Sequence, residues 1–92
     1  MAALTQPEIQ ERIARLPGWQ IEAGELVRTF QFKDFREALG FVNRIGEAAE
    51  AAGHHPDIDI RYNRVRLSLV THDAGGLTAK DFDLALRASG LA

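Results

Sequence analysis

The sequence has no cysteine, and that one absence removes disulfide bridges, thiolate zinc sites and cysteine nucleophiles together. It also has no apolar run near the ~20 residues that a membrane-spanning helix needs. The opening stretch MAALTQPEIQERIARLPG lacks the basic start and apolar block of a secretory signal, because Gln6, Glu8, Gln10, Glu11 and Arg12 interrupt it. A cytoplasmic protein with no membrane partner is the expectation. Positive charge is not in excess either. Eleven Lys+Arg against thirteen Asp+Glu give a formal net charge of −2, which is not the footprint of a nucleic-acid binder.

What remains is 92 residues, 46% hydrophobic and 26% charged, the composition of an ordinary globular domain. One domain spanning residues 1–92 is expected. Chains this short bury only about 60–68% of their unfolded surface, so any pocket should be shallow or completed by a second subunit.

The elements are clearly punctuated. Thr5 and Glu8 read as a capping box opening a helix to about Arg15, with Pro7 in its first turn and Leu4/Ile9 as a hydrophobic staple. Pro17-Gly18 ends it. Trp19–Glu22 and Leu26–Lys33 read as two strands with a turn at Gly24-Glu25, the second strand alternating strictly through Phe30 and Phe32. Asp34 and Glu37 open a second helix, in which Phe35, Ala38, Leu39, Val42, Ile45, Ala49 and Ala52 recur at helical spacing until Gly53 stops it. Ile58, Ile60 and Tyr62, then Val65, Leu67 and Leu69, alternate on either side of an expected Asn63-Arg64 turn. Thr78 and Asp81 open a third helix with a Leu77/Phe82 staple, and Phe82, Ala85, Leu86 and Ser89 supply its inward face. The expected fold is α+β, a four-stranded antiparallel sheet with three helices on one face in the order α-β-β-α-β-β-α.

All three histidines fall around the third and fourth strands. With Tyr62 opposite Val65, the hairpin register pairs Ile60 with Leu67 and extrapolates to His55 opposite His72, with His54 of opposite parity. Imidazoles titrate near neutrality and suit proton transfer. The plainer alternatives stay open. His54 and His55 can be polar residues at a helix C-terminus, and His72 an exposed strand end. Asp81 is explained by capping, Trp19 by core packing, and Arg61, Arg64 and Arg66 by a solvated strand face.

Several stretches, taken in order, resemble the pterin-4a-carbinolamine dehydratase family. They are EAAGHHP from Glu50 to Pro56, Tyr62 in a YNRV turn, VTH ending at His72, and LTAKD ending at Asp81. FQFKDF from Phe30 to Phe35, the Gly40-Phe41 pair and the Pro-Gly-Trp near the start belong to the same likeness. The resemblance implies dehydration of 4a-hydroxytetrahydropterin to the quinonoid dihydropterin, which recycles the cofactor of aromatic amino acid hydroxylases. It implies His54, His55, His72 and Asp81 as catalytic residues. His54 and His72 would also hold the substrate, with Glu50 and Trp19 in support. No metal or separate cofactor is implied, since the pterin is the substrate. A homodimer or homotetramer is expected, and the competing expectation is a non-enzymatic dimerising interaction module on the same fold.

Overall fold

The computed structural model describes residues 2–92. Along the chain run α1 (Gln6–Ile13), β1 (Gln20–Glu22), β2 (Glu25–Gln31), α2 (Phe35–Ala52), β3 (Asp57–Arg61), β4 (Arg64–Leu69), a 3-10 turn (His72–Ala74) and α3 (Ala79–Leu91). The four strands form one antiparallel sheet in the order β1-β2-β4-β3. The α+β architecture read from the pattern is the one observed.

Alternation sorts the sheet into a core face and an open face. Leu26 and Phe30 of β2 stand opposite Leu69 and Val65 of β4. All four join Leu67 in a single buried cluster with Ile9 of α1, Phe41 and Ile45 of α2, and Phe82 and Leu84 of α3. Phe30 and Phe41 meet with ring centroids 4.7 Å apart, the contact that seats α2 on the sheet. The opposite face is polar, with Arg66 bridging to Glu22 at 3.1 Å and Ser68 donating to Glu25.

The helix starts follow the expected chemistry with one variation. At α1, Thr5 N–H donates to Glu8 Oε1 at 2.8 Å, and Glu8 N–H to Thr5 Oγ1 at 3.4 Å. Past Ile13, the bonds Arg15 N–H to Arg12 and Leu16 N–H to Ile13 tighten to an i→i−3 pattern before Pro17. At α2, Asp34 accepts from Glu37 N–H at 2.9 Å, but the Glu37 carboxylate reaches back to Lys33 N–H. Only half of that capping box forms.

The apolar faces of α2 and α3 differ from the expected sets. On α2 the buried residues are Ala38, Phe41, Ile45, Ala48 and Ala49, while Phe35 and Leu39 are 47% and 41% exposed. At 100° per residue, Phe35 and Leu39 stand about 120° and 160° around the helix from Phe41. Once Phe41 takes the sheet, both must face outward. On α3, Leu84 is buried and Leu86 is exposed.

Both hairpin turns sit one residue earlier than expected. Glu22 pairs with Glu25, so the first turn is Ala23-Gly24, both at positive φ (50° and 79°). This twist suits a two-residue hairpin. Arg61 pairs with Arg64, so the second turn is Tyr62-Asn63, with Tyr62 at φ 53°. Asn63 is held there by β2's end: its side-chain amide donates to the Phe32 carbonyl at 2.8 Å, and its own carbonyl accepts from Phe32 N–H. The register therefore shifts by two, to Ile60 opposite Val65 and Ile58 opposite Leu67. A shift of two preserves parity, so the core face survives, but the pairing of His55 with His72 does not. The ladder ends at Asp57 opposite Ser68, before either histidine.

The Glu8 carboxyl is held below the usual glutamate value of 4.5, chiefly by the Thr5 backbone N–H and then by the Thr5 side chain. A lowered folded-state pKa stabilises the helix start above 4.5, and that contribution is lost as pH falls through the lowered value. The Thr5 amide proton shift should therefore titrate with a midpoint below 4.5 by NMR; a midpoint at or above 4.5 would contradict the reciprocal cap.

Candidate active site

The site begins where α2 stops. Gly53 adopts φ 65°, which a residue without Cβ does at no steric cost. Gly53 N–H donates to the Glu50 carbonyl and His54 N–H to the Ala49 carbonyl, the paired bonds of a Schellman ending. The backbone of His54 is thus anchored to the last turn of α2, and β3 begins three residues later.

His54 Nε2 lies 2.6 Å from Asp81 Oδ1, with the histidine side chain 12% exposed and the aspartate fully buried. Asp81 Oδ2 accepts from the Thr71 hydroxyl at 2.8 Å and from Thr78 N–H at 2.9 Å. Thr71 and Thr78 hydroxyls are themselves 2.8 Å apart. A hydroxyl has one proton, and Thr71 gives its proton to Asp81, so Thr78 must donate to Thr71. All three of the carboxylate's partners then act as donors, and a buried carboxylate with such partners avoids the penalty of an unpaired buried charge. The same reasoning puts a proton on His54 Nε2. In the neutral ring Nδ1 then keeps its lone pair, and it has no hydrogen-bond partner among the described residues. The one carboxylate thus caps α3 through Oδ2 and bonds His54 through Oδ1, the coexistence that the sequence allowed.

His55 points to a different partner. Its Nε2 bonds to Glu50, five residues back on the last turns of α2, and the two side chains are 60% and 74% exposed. His72 is exposed at the start of the 3-10 turn. Thr71 and Gly76 close that loop by bonding to each other in both directions, and Gly75 at φ 74° turns the chain back. His72 is thereby one residue from Thr71, which is bonded to Asp81. Among the described residues no hydrogen bond links His72 to His54 or His55, and no three His, Asp or Glu side chains converge as a metal site.

Trp19 lies elsewhere. Its indole is buried, donates from Nε1 to Ser89 Oγ at 2.9 Å and meets Phe30 edge-on at 5.9 Å. Ser89 is eight residues along α3 from Asp81, about 12 Å at 1.5 Å per residue. The structure does not bring Trp19 to the histidines within one protomer. Conversely, Thr71 and Thr78 join the site without having been singled out for it. Thr78 registered only as a helix start, and Thr71 as the residue before a histidine. A depression of about 230 Å³ lies beside His54, lined also by Ala52, Lys80, Asp83, Leu84 and Arg87.

A small antiparallel α+β domain in which two adjacent histidines are each tied to a carboxylate, with a third on a neighbouring closed loop, has the equipment of a general acid–base protein. The chain belongs to the pterin 4 alpha carbinolamine dehydratase family, whose model matches residues 2–91. A putative pterin-4-alpha-carbinolamine dehydratase of Acidobacterium capsulatum is 64% identical over 85 residues, covering 92% of each chain. One from Thermomicrobium roseum is 53% identical over 92 residues, covering 100% of this chain and 99% of its own. Among solved structures, a transcriptional coactivator/pterin dehydratase from Brucella melitensis superposes with a TM-score of 0.94 at 37% identity, covering 98% of both chains. A pterin dehydratase-like protein described as a RuBisCO assembly factor in the alpha-carboxysome shares the fold, with a TM-score of 0.66 at 23% identity over 80% of this chain and 86% of its own.

Two substitutions at Asp81 separate its roles. Asp81→Ala removes a cap worth ~1 kcal/mol and leaves buried donors unmet at ~1–3 kcal/mol, so a loss of about 2–4 kcal/mol is expected in urea unfolding. Asp81→Asn can still accept from Thr71 and Thr78, while its NH2 now donates to His54 Nε2. The fold is retained, and the His54 proton moves to Nδ1. Imidazole nitrogen shifts in ¹⁵N NMR read that transfer directly, and an unmoved proton would refute the network as drawn.

Proposed function

We propose that this chain removes water from pterin-4a-carbinolamine to give the quinonoid dihydropterin. The bond from C4a to the hydroxyl oxygen breaks, an acid protonates the departing hydroxyl, and a base takes the ring N–H proton as the C=N bond forms. No oxidation state changes, and only water leaves. Family membership and the 0.94 superposition support the activity. The observation that carries the site assignment is the division of the histidine pair: one ring buried and held by Asp81, its neighbour exposed beside Glu50.

In this reading His55 is the principal acid/base. Its exposure lets it exchange protons with solvent between turnovers, and Glu50 steadies the ring. His54, fixed by Asp81, presents Nδ1 to the pterin, and His72 closes the same site from the 3-10 turn. Trp19 is left out of the acid–base set because its indole N–H is committed to Ser89. The protein works in the cytoplasm beside an enzyme that oxidises tetrahydropterins, an aromatic amino acid hydroxylase being the partner the chemistry suits.

The test is stopped-flow decay of enzymatically generated 4a-hydroxytetrahydropterin. General acid–base catalysis contributes about 10²–10⁴-fold, so His55→Ala should lower kcat at least ~100-fold. A loss below about tenfold, with the large loss falling on His54→Ala, would transfer the proton role to the Asp81-held ring. Equal decay with and without folded wild-type protein would favour the interaction module.

The protein is also proposed to be a homo-oligomer. Phe35 and Leu39 stand one turn apart on α2, both largely exposed, and both sheet edges, β1 and β3, are unpaired within the protomer. Leu39→Glu places a charge in that apolar strip and should reduce the sedimentation coefficient to that of a monomer. An unchanged value would remove the α2 strip from the interface.

A further inference from the structure

The depression beside His54 is not neutral. Of its six lining residues, Lys80 and Arg87 are cationic, Asp83 is anionic, and Ala52 and Leu84 provide an apolar floor. Lys80 lies in the first turn of α3, where backbone N–H groups add partial positive charge. Arg87 lies seven residues further on, about two turns along the same helix, and so on much the same side. Asp83 sits between them in sequence, yet neither cation forms an ion pair with it or with any other described carboxylate. Arg15, Arg61 and Arg66 are paired with acids, and Arg28 stacks on Phe30. Arg12, Arg36, Arg44 and Arg64 likewise form no ion pair among the described residues, so what sets Lys80 and Arg87 apart is their place around the hollow beside His54. Two unpaired cations thus flank a hollow whose remaining wall is the histidine that Asp81 orients.

We infer that the substrate is a pterin whose C6 side chain carries an anionic group, a carboxylate or a phosphate, which Lys80 and Arg87 receive while the ring lies against His54. This rests on the dehydratase reading and specifies its substrate class. Arginine can grip a planar or tetrahedral oxyanion with two parallel N–H donors, and lysine adds a mobile point charge. The apolar floor of Ala52 and Leu84 suits the uncharged stem between ring and anion. Lys80 and Arg87 are then specificity residues. They touch no reacting atom.

The experiment compares kcat/KM for the 4a-hydroxy forms of 6-methyltetrahydropterin, which has no anion, tetrahydrofolate, which ends in carboxylates, and a tetrahydropterin phosphate ester. The wild-type ratio of anionic to neutral substrate should exceed about threefold, the scale of a partly exposed ion pair, and should fall as salt rises. Lys80→Met and Arg87→Gln should each move the ratio toward one. Arg36→Gln, which removes the same charge from the start of α2, should leave it in place. Tetrahydrofolate preferred over the phosphate ester would identify the tail as carboxylate, and the reverse as phosphate. A ratio of one in wild type, or a ratio that Arg36→Gln changes as much as Arg87→Gln, overturns the inference while leaving the dehydratase standing. Loss of activity toward all three substrates would overturn the dehydratase reading instead. Calorimetric titration with folic acid, whose carboxylates end a stem, against 6-methylpterin then still decides the anion preference, since equal affinities would refute it without any turnover.

Discussion

The buried carboxylate of Asp81 is the constraint on which the rest of the site depends. It belongs to α3, takes one donor from the segment after α2, one from the end of β4 and one from its own helix start. The end of α2, the segment after β4 and the start of α3 are thereby tied to two oxygen atoms. A carboxylate with no access to water keeps its place only while those donors keep theirs. The loop that carries His72 hangs from Thr71, and the turn that carries His54 hangs from the end of α2. Moving any of the three disturbs the geometry of the others. The fold therefore fixes His54 through a polar knot at one end of the helical layer, while the Phe30–Phe41 contact holds the layers together further in.

This arrangement gives the two adjacent histidines opposite physical characters from one dipeptide. Opposite parity at a chain reversal sends one ring inward to a fully enclosed acid and the other outward to an exposed one. An inward ring is rigid, has a defined tautomer and is poorly connected to bulk water. An outward ring is adjustable and exchanges its proton freely. In the proposed dehydration, which must deliver one proton and remove another within a single site, the Gly53-His54-His55-Pro56 stretch would supply both kinds without a long loop.

Much of this was legible from residue types. Thr5 with Glu8, Gly53 after an alanine-rich helix and the alternation through Phe30 each point to one local structure, because the physics that decides them is local. The departures occur where a distant group decides. The Asn63 turn looked free to sit at Asn63-Arg64, but Phe32, thirty-one residues earlier in the chain, holds Asn63 in the preceding position. The inward face of α2 could be centred on Phe35 and Leu39 or on Phe41, and only the position of Phe30 on the sheet selects the latter. The resemblance implied His54, His55, His72 and Asp81 as a set, whereas Thr71 and Thr78 were silent. A hydroxyl that completes a buried carboxylate leaves no periodic or compositional trace.

The single tryptophan has a consequence of another kind. Its indole docks on Ser89 near the C-terminal end of α3, where Arg28 also bonds Ser89 and lies over Phe30. The histidine knot grips the N-terminal end of the same helix. One helix thus has a native fluorophore docked at one end and an imidazole bonded at the other. Emission from Trp19 reports whether the far end of α3 is seated, and imidazole signals report whether the near end is. The two readouts make fraying at the site distinguishable from global unfolding in the unlabelled protein.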